Sequence, residues 1–364
     1  MSVASIAAAE ALARLHAFDT IIDARSPGEF ALDHLPGAVN WPSLDDEERA
    51  RVGTEYKQVS PFLARKRGAA LVARNIAGHI ERELIDTPKH WQPLVYCWRG
   101  GQRSGSLAMV LGQIGFRVQV LEGGYREYRR AVMLALEALP ARFAFRVLCG
   151  ATGSGKSRLL HALAAQGEQV LDLEALANHR GSVLGLVPGS PQPTQKAFDS
   201  ALWAALQRLD AARPVWIESE SKKVGEVRVP EALVQRMRAA PCVRVDMPVE
   251  ARVHLLMADY SFFVRDVAAF CTRLDALRPV RGNEVINQWQ AAARSGGIEG
   301  VVRELLTVHY DPVYLSSTRR NFTGFDTAQV LALPNGETSA LAEAASGLRE
   351  SCLTPAGGPA GPLS

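Results

Sequence analysis

"FAFRVLCGATGSGKS", residues 143–157, decides the fold of the second half of the chain. An apolar run leads straight into the pattern G-x-x-x-x-G-K-[ST], with Gly150, Gly155, Lys156 and Ser157 at the fixed positions. A helical pattern follows at 156–166, so the context is strand, glycine loop, helix. The physics of that order is direct. Gly150, Gly153, Ser154 and Gly155 let backbone N–H groups turn inward around a phosphate, and the helix N-terminus adds its positive end. Lys156 supplies a point charge for a distal phosphate, and Ser157 is a candidate Mg²⁺ ligand. No structural metal is expected. The loop does not specify which phosphate compound is bound. Nucleotide hydrolysis usually adds an Asp closing an apolar strand. The candidate strand here, "PVWIESES" (214–221), offers Glu218 and Glu220 instead. Either could hold Mg²⁺ through water, or be a solvated strand-end acid.

Outward from this loop, the pattern predicts strands at 169–173, 214–218 and 242–247 and helices at 195–212, 231–240 and 249–259. A helical stretch is expected from 260 to 310, broken by Gly296 and Gly297. Upstream, strands are expected at 20–25, 93–97 and 117–121, with helices at 68–84, 104–115 and 122–139. Alternating strands and helices imply parallel α/β sheets. The first eighteen residues read as an amphipathic helix. Pro140 marks a boundary, giving domains 1–138 and 139–335, followed by a C-terminal helix and disordered tail at 336–364. No internal repeat is visible at periods of 20 to 50 residues.

The 364 residues are 47% hydrophobic and 22% charged, with a net charge of +3, which fits a folded globular protein of two domains. The cations are mostly arginine, the better bidentate phosphate ligand, although composition alone equally reflects a GC-rich genome. The five cysteines form no C-x-x-C pair, which argues against a zinc site or a disulfide framework. Glu10 and Arg14 interrupt what would be a signal core, and there is no uncharged run long enough to cross a membrane. A reducing, cytoplasmic bacterial setting with no membrane partner is expected.

A second loop, "VYCWRGGQRSG" (95–105), closes another apolar run. A cysteine nucleophile works as thiolate and needs positive surroundings. Backbone N–H groups of 98–103, the following helix N-terminus, Arg99 and Arg103 could supply them. A buried packing cysteine is the plainer alternative. Together with "DARSPGEFALDHLPGAVN" (23–40) and "LEGGYREYR" (121–129), the loop resembles the rhodanese family over residues 15–135, with a longer insert at 43–90. The resemblance implies a rhodanese-like parallel-sheet domain with Cys97 as nucleophile and Asp23 and Arg25 supporting the loop or merely bridging. The spacing C-x5-R, with Ser104 next, resembles a cysteine phosphatase loop as much as a sulfurtransferase loop, although Tyr96 stands where many phosphatases have His. Cys149, Cys242, Cys271 and Cys352 are expected to pack.

The resemblance extends further. "DLEALANHRGSVLG" (172–185), "QPTQKAFDSAL" (192–202), "IESESKKVGEVRVP" (217–230) and "HYDPVY" (309–314) resemble the tRNA 2-selenouridine synthase family, so that about residues 10–335 are covered. That resemblance implies a P-loop NTPase-like α/β domain with a helical C-terminal part. It implies a transferase acting on tRNA with 2-thiouridine at the wobble position. Selenophosphate and geranyl diphosphate would be co-substrates, without a tightly bound cofactor, and an enzyme supplying selenophosphate is a conceivable partner. The geranyl tail needs an apolar wall; "YSFFV" (260–264) or "LWAAL" (202–206) could provide it, ordinary core packing being the simpler reading of both. Trp98, His179, Arg180, Lys222 and Lys223 are the favoured tRNA contacts, ahead of Arg65, Lys66, Arg67, Arg319 and Arg320. The rival reading is a Cys-dependent phosphatase or sulfurtransferase coupled to an ATP-hydrolysing domain. A non-catalytic scaffold is a third.

Overall fold

The structure is a computed structural model that describes residues 3–181 and 189–353. The tail 354–364, the side chain of Cys352 and residues 182–188, which include the end of the segment 172–185, lie outside the described residues. The chain divides into two compact units. The first contains residues up to Leu136 together with Pro193–Ala204, and the second contains Glu137–Gln192 and everything from Ala205 onward.

The first unit is built on a five-stranded sheet of β1 (Ala4–Ile6), β2 (Thr20–Asp23), β3 (Ala38–Asn40), β4 (Pro93–Tyr96) and β5 (Gln119–Leu121). The order is β1-β5-β4-β2-β3, with every neighbouring pair parallel. All four residues of β4 are buried, as a parallel strand covered on both faces requires. Helices α1 (Ala8–Ala13), α2 (Pro27–Leu32), α3 (Asp46–Gln58), α4 (Pro61–Glu83), α5 (Gln102–Ile114) and α6 (Gly124–Ala138) complete it. Ile22, Val95, Cys97, Leu107 and Leu111 share one core cluster with Trp41 and Trp91.

Two expectations change here. The N-terminus is not one amphipathic helix: Ala4–Ile6 pairs with β5 as an edge strand before the short α1. The insert at 43–90 is a helical hairpin, in which α4 starts at Pro61 behind the Ser60 cap, earlier than the apolar pattern at 68.

The second unit has a five-stranded parallel sheet of β6 (Phe145–Cys149), β7 (Gln169–Leu171), β8 (Val215–Glu218), β11 (Cys242–Asp246) and β12 (Gln329–Ala332), with a small antiparallel ribbon of β9 (Lys223–Val224) and β10 (Val227–Arg228). The order is β12-β11-β6-β8-β7. The central strand β6 carries the phosphate loop, and later strands lie on both sides of it. Its carboxyl end therefore opens at a topological switch point, where α/β sheets bind ligands. Helix α7 (Lys156–Ala165) leaves the loop, followed by α8 (Leu173–Leu176). Helix α9 (Gln195–Gln207) ends five residues before the expected 212. Helices α10 (Glu231–Arg238) and α11 (Val249–Asp259) follow their strands. The expected helical stretch is α12 (Ser261–Arg265), α13 (Val267–Leu274), α14 (Arg278–Arg281), α15 (Asn283–Arg294) and α16 (Ile298–Glu304), then a π-helical turn at Leu305–Tyr310 and α17 (Asp311–Asn321). The last helix, α18 (Thr338–Leu353), is not a separate appendage: Leu341, Ala345 and Leu348 are buried with Leu159, Leu160 and Leu163 of α7. The domain scheme 139–335 plus 336–364 is corrected accordingly, as is the assignment of 193–204 to the second domain.

Candidate functional site

Cys97 sits one residue past β4, where the chain turns from sheet to α5. The loop is pinned from below. Tyr125 N–H donates to the Cys97 carbonyl at 2.8 Å and Arg126 N–H to the Trp98 carbonyl at 3.1 Å. This explains the glycine before Tyr125. Gly124 has φ +60°, and a Cβ there would sit 2.2 Å from the Cys97 carbonyl oxygen. Only a bare backbone approaches that closely.

Cys97 is 3% exposed, and the Ser104 hydroxyl donates to its Sγ at 3.1 Å. Burial opposes the thiolate, but hydrogen bonds from the Ser104 hydroxyl and from the backbone at Ser104, Arg99 and Gly101 outweigh it and hold the thiol below its ordinary range. The two arginines act differently from expectation. Arg99 points to solvent and contributes through its backbone. Arg103 donates to Glu29 at 2.7 Å, a carboxylate it shares with Arg49. Asp23 and Arg25 form a fully buried pair at 2.6 Å, and Arg25 also donates to the Asp33 carbonyl. The Arg25 guanidinium lies 3.8 Å from the Tyr125 ring centre, and Trp98 stacks on the same Tyr125 with ring centres 5.4 Å apart. Asp23 thus supports, through Arg25, the aromatic platform beside Cys97.

In the phosphate loop, Gly153 and Gly155 have φ +75° and +81°. Gly150 is needed for space: a Cβ there would meet Ser154 Oγ at 2.5 Å and the Val245 carbonyl at 2.8 Å. Its N–H donates to the Tyr314 hydroxyl at 2.6 Å. Lys156 Nζ reaches across the loop to the Gly150 and Ala151 carbonyls at 2.6 and 3.1 Å. The buried Arg252 holds the loop from behind, donating to the Thr152 carbonyl and pairing with Asp311 at 2.6 Å. Neither Tyr314 nor Arg252 was identified as a site residue from sequence.

The acidic group is larger than Glu218 and Glu220. Glu174, from α8, joins them, and oxygens of all three lie within 4.8 Å of one another. The Ser157 hydroxyl donates to Glu174 at 2.7 Å and Glu218 at 3.0 Å. Burial and mutual repulsion push all three carboxyls up, Glu220 to about 7. Three oxygen donors that resist ionisation beside a hydroxyl form a set that Mg²⁺ would satisfy.

This loop opens into a cavity of about 630 Å³. His179 and Arg180 line it. His179 is 6% exposed with no hydrogen-bond partner for Nδ1 among the described residues, and burial and Arg273 lower its pKa. Arg180 donates to the Asp259 carbonyl and lies over the Tyr260 ring, so it is a wall of the cavity more than a free surface cation. Lys222 is exposed and paired with Glu231 at 3.0 Å; Lys223 is exposed at the start of β9. Neither lines the cavity. Arg65 and Lys66 are exposed on α4, Arg67 pairs with Glu55, Arg319 with Asp326, and Arg320 is exposed on α17.

A second, apolar cavity of about 50 Å³ shares Thr152, Leu256, Tyr260 and Tyr310 with the first. Phe263, Val264, Leu305 and Leu306 extend it. The π-helical turn Leu305–Tyr310 forms one side, a distortion frequent at functional sites. Of the two apolar segments, "YSFFV" therefore borders the phosphate loop. "LWAAL" does not: Leu202 and Trp203 are buried in the first unit, Trp203 edge-on to Tyr128.

These features define a class: a rhodanese-like domain followed by a P-loop α/β domain. Residues 7–131 match the rhodanese-like domain family, and residues 143–280 match the tRNA 2-selenouridine synthase AAA domain. Proteins called tRNA 2-selenouridine synthase align at 37% identity in Nitrosomonas europaea (66% of this chain, 63% of that one), 33% in Marinobacter nauticus (81% and 87%) and 35% in Alcanivorax borkumensis (76% and 76%). The chain thus spans just under two thirds of the first relative and most of the other two. An N-terminal domain of a putative ATP/GTP binding protein from Clostridium difficile is 34% identical over 36% of this chain and 99% of its own, with a TM-score of 0.31. The chain belongs to the tRNA 2-selenouridine synthase family. No helix among the described residues is long and apolar enough to cross a membrane.

Proposed function

We propose that the chain modifies the wobble 2-thiouridine of tRNA in two steps, one served by each loop. In the first, the thiouridine sulfur attacks C1 of geranyl diphosphate. The S–C bond forms, the C–O bond breaks, diphosphate leaves, and the N3 proton of the base is released. In the second, selenophosphate and water convert the S-geranyl base into 2-selenouridine, geranyl thiol and phosphate. The C2–Se bond forms as the C2–S bond breaks, the Se–P bond breaks with the water oxygen passing to phosphorus, and N3 and the thiol each take up a proton.

The observation that carries this reading is the apolar cavity that shares Thr152, Leu256, Tyr260 and Tyr310 with the cavity of the phosphate loop. A diphosphate head beside a hydrocarbon slot suits a prenyl diphosphate; a nucleotide has no tail to place there. Loop N–H groups and Lys156 would stabilise the leaving diphosphate. Mg²⁺, held by Glu174, Glu218, Glu220 and Ser157, would supply further neutralisation. On the other loop, the lowered thiol pKa of Cys97 and the surrounding N–H groups suit capture of a tetrahedral selenophosphate.

The test fills the slot. Leu306→Trp protein is incubated with a 2-thiouridine anticodon stem-loop and geranyl diphosphate, and separately with S-geranyl stem-loop and selenophosphate. Geranyl product should fall at least 10-fold and selenation of the pre-geranylated RNA should persist. Undiminished geranylation, or ATP hydrolysis without either product, overturns the reading.

A further inference from the structure

Residues 193–204 follow the phosphate-loop helix in sequence by about thirty positions, yet they pack in the first unit. Arg129 of α6 fastens them, donating to Asp199 at 2.8 Å, to the Lys196 carbonyl at 3.0 Å and to Ser200 at 3.3 Å. Phe198 and Leu202 are fully buried there. Such anchoring fixes where the one exposed cation of the segment, Lys196, emerges: at the rim of a cleft of about 320 Å³, with Arg49, Arg103, Glu29, Trp98 and Tyr125 around it.

The charges in this cleft do not cancel. Arg25, which also lines it, is satisfied by Asp23. Arg103 and Arg49 share the single carboxylate of Glu29, at 2.7 and 3.2 Å. Lys196 has no ion pair among the described residues, so two positive charges are left over, one on Lys196 and one shared by the two arginines. Beside them stands a rigid platform: the half-buried Trp98 stacks on Tyr125, which stacks on Arg25. An aromatic face next to uncompensated cations is the chemistry that binds an unstacked RNA nucleotide, base on ring and phosphate on cation.

Building on the tRNA reading above, we infer that this cleft is a nucleotide-binding site beside Cys97. A splayed anticodon-loop base stacks on Trp98, and its phosphate is held by Lys196 and Arg49. Lys196 lies outside the rhodanese-like sequence, so the segment 193–204 is the device by which the second half of the chain equips the cysteine domain to hold RNA.

The test is fluorescence anisotropy of full-length protein with a labelled 2-thiouridine anticodon stem-loop at several salt concentrations. Lys196→Ala should weaken binding about 5-fold and reduce the salt slope by about 0.7, the value for one single-strand phosphate. Trp98→Ala should weaken it roughly 10-fold with the slope unchanged, and Trp98→Phe should restore most of the loss. Stem-loop binding by wild type with the same affinity and slope in Lys196→Ala and Trp98→Ala overturns the inference and spares the tRNA reading. No binding by wild type removes both. If Lys196→Ala impairs only competition by inorganic phosphate, the cleft takes a small anion and the inference falls.

Discussion

The two loops solve the problem of an anion in opposite ways. Around Cys97 the positive field comes almost wholly from N–H groups and one hydroxyl, while the arginines of the loop face solvent or Glu29. Around Lys156 the surroundings carry an excess of acid, with Glu174, Glu218 and Glu220 crowded together. The first loop is built to hold charge on its own atom. The second is incomplete without cations and is suited to a divalent ion with a polyanion. Backbone dipoles cannot be neutralised by a neighbouring side chain, so they can favour the thiolate at Cys97 whatever ion pairs form around it. A loop that takes a phosphate compound and lets it go needs charges that can be matched and released.

The strongest way to break this contrast is Gly124→Ala. A methyl 2.2 Å from the Cys97 carbonyl and 2.5 Å from Gly100 N must displace the loop. Selenation should be lost at least 100-fold while geranylation persists, and the fold should lose roughly 3 kcal/mol by denaturant melt, in line with strain at a special backbone position. Next is Ser104→Ala. Removing the hydroxyl at 3.1 Å should raise the Cys97 pKa and slow iodoacetamide labelling at pH 8 several-fold. If labelling is unchanged, the backbone alone holds the thiolate.

The acidic cluster predicts a pH effect of the opposite kind. In the folded chain Glu220 keeps its proton to about pH 7, whereas the unfolded chain loses it near 4.5. The unfolded form therefore binds fewer protons in that window, and stability falls as pH rises through it. Glu220→Gln should flatten the melting temperature between pH 4.5 and 7, and Mg²⁺ should do the same for wild type above pH 6. The smallest effect belongs to Lys222→Ala, whose exposed pair with Glu231 should change the melting temperature by about 1 °C or less.

Much of this was legible locally. The phosphate loop declares itself in eight residues because the glycines, lysine and helix start are contiguous. The cysteine loop and its Glu-Gly-Gly-Tyr brace were legible as pieces, although not the reason, which is an approach between residues 97 and 124. What stayed hidden depends on distant contacts. Glu174 follows Asp172 and reads as an ordinary first-turn acid of α8, so nothing marks it as the partner of Glu218 until the sheet brings β7 beside β8. Arg252 grips a carbonyl one hundred positions away. The strand Ala4–Ile6 is three residues in an alanine-rich stretch and gains its state only by pairing with β5. Sequence gives Arg99 and Arg103 proximity to Cys97 along the chain and not direction, so it does not show that one side chain is exposed and the other pairs with Glu29.

The most direct test of the division between the loops is nucleoside mass spectrometry on a 2-thiouridine anticodon stem-loop with geranyl diphosphate and selenophosphate, added singly and together, using wild type, Cys97→Ala and Lys156→Ala. Cys97→Ala should accumulate the S-geranyl nucleoside without 2-selenouridine. Lys156→Ala should form neither from 2-thiouridine, yet convert pre-geranylated RNA to 2-selenouridine. Loss of geranylation in Cys97→Ala, or full geranylation in Lys156→Ala, would contradict that division.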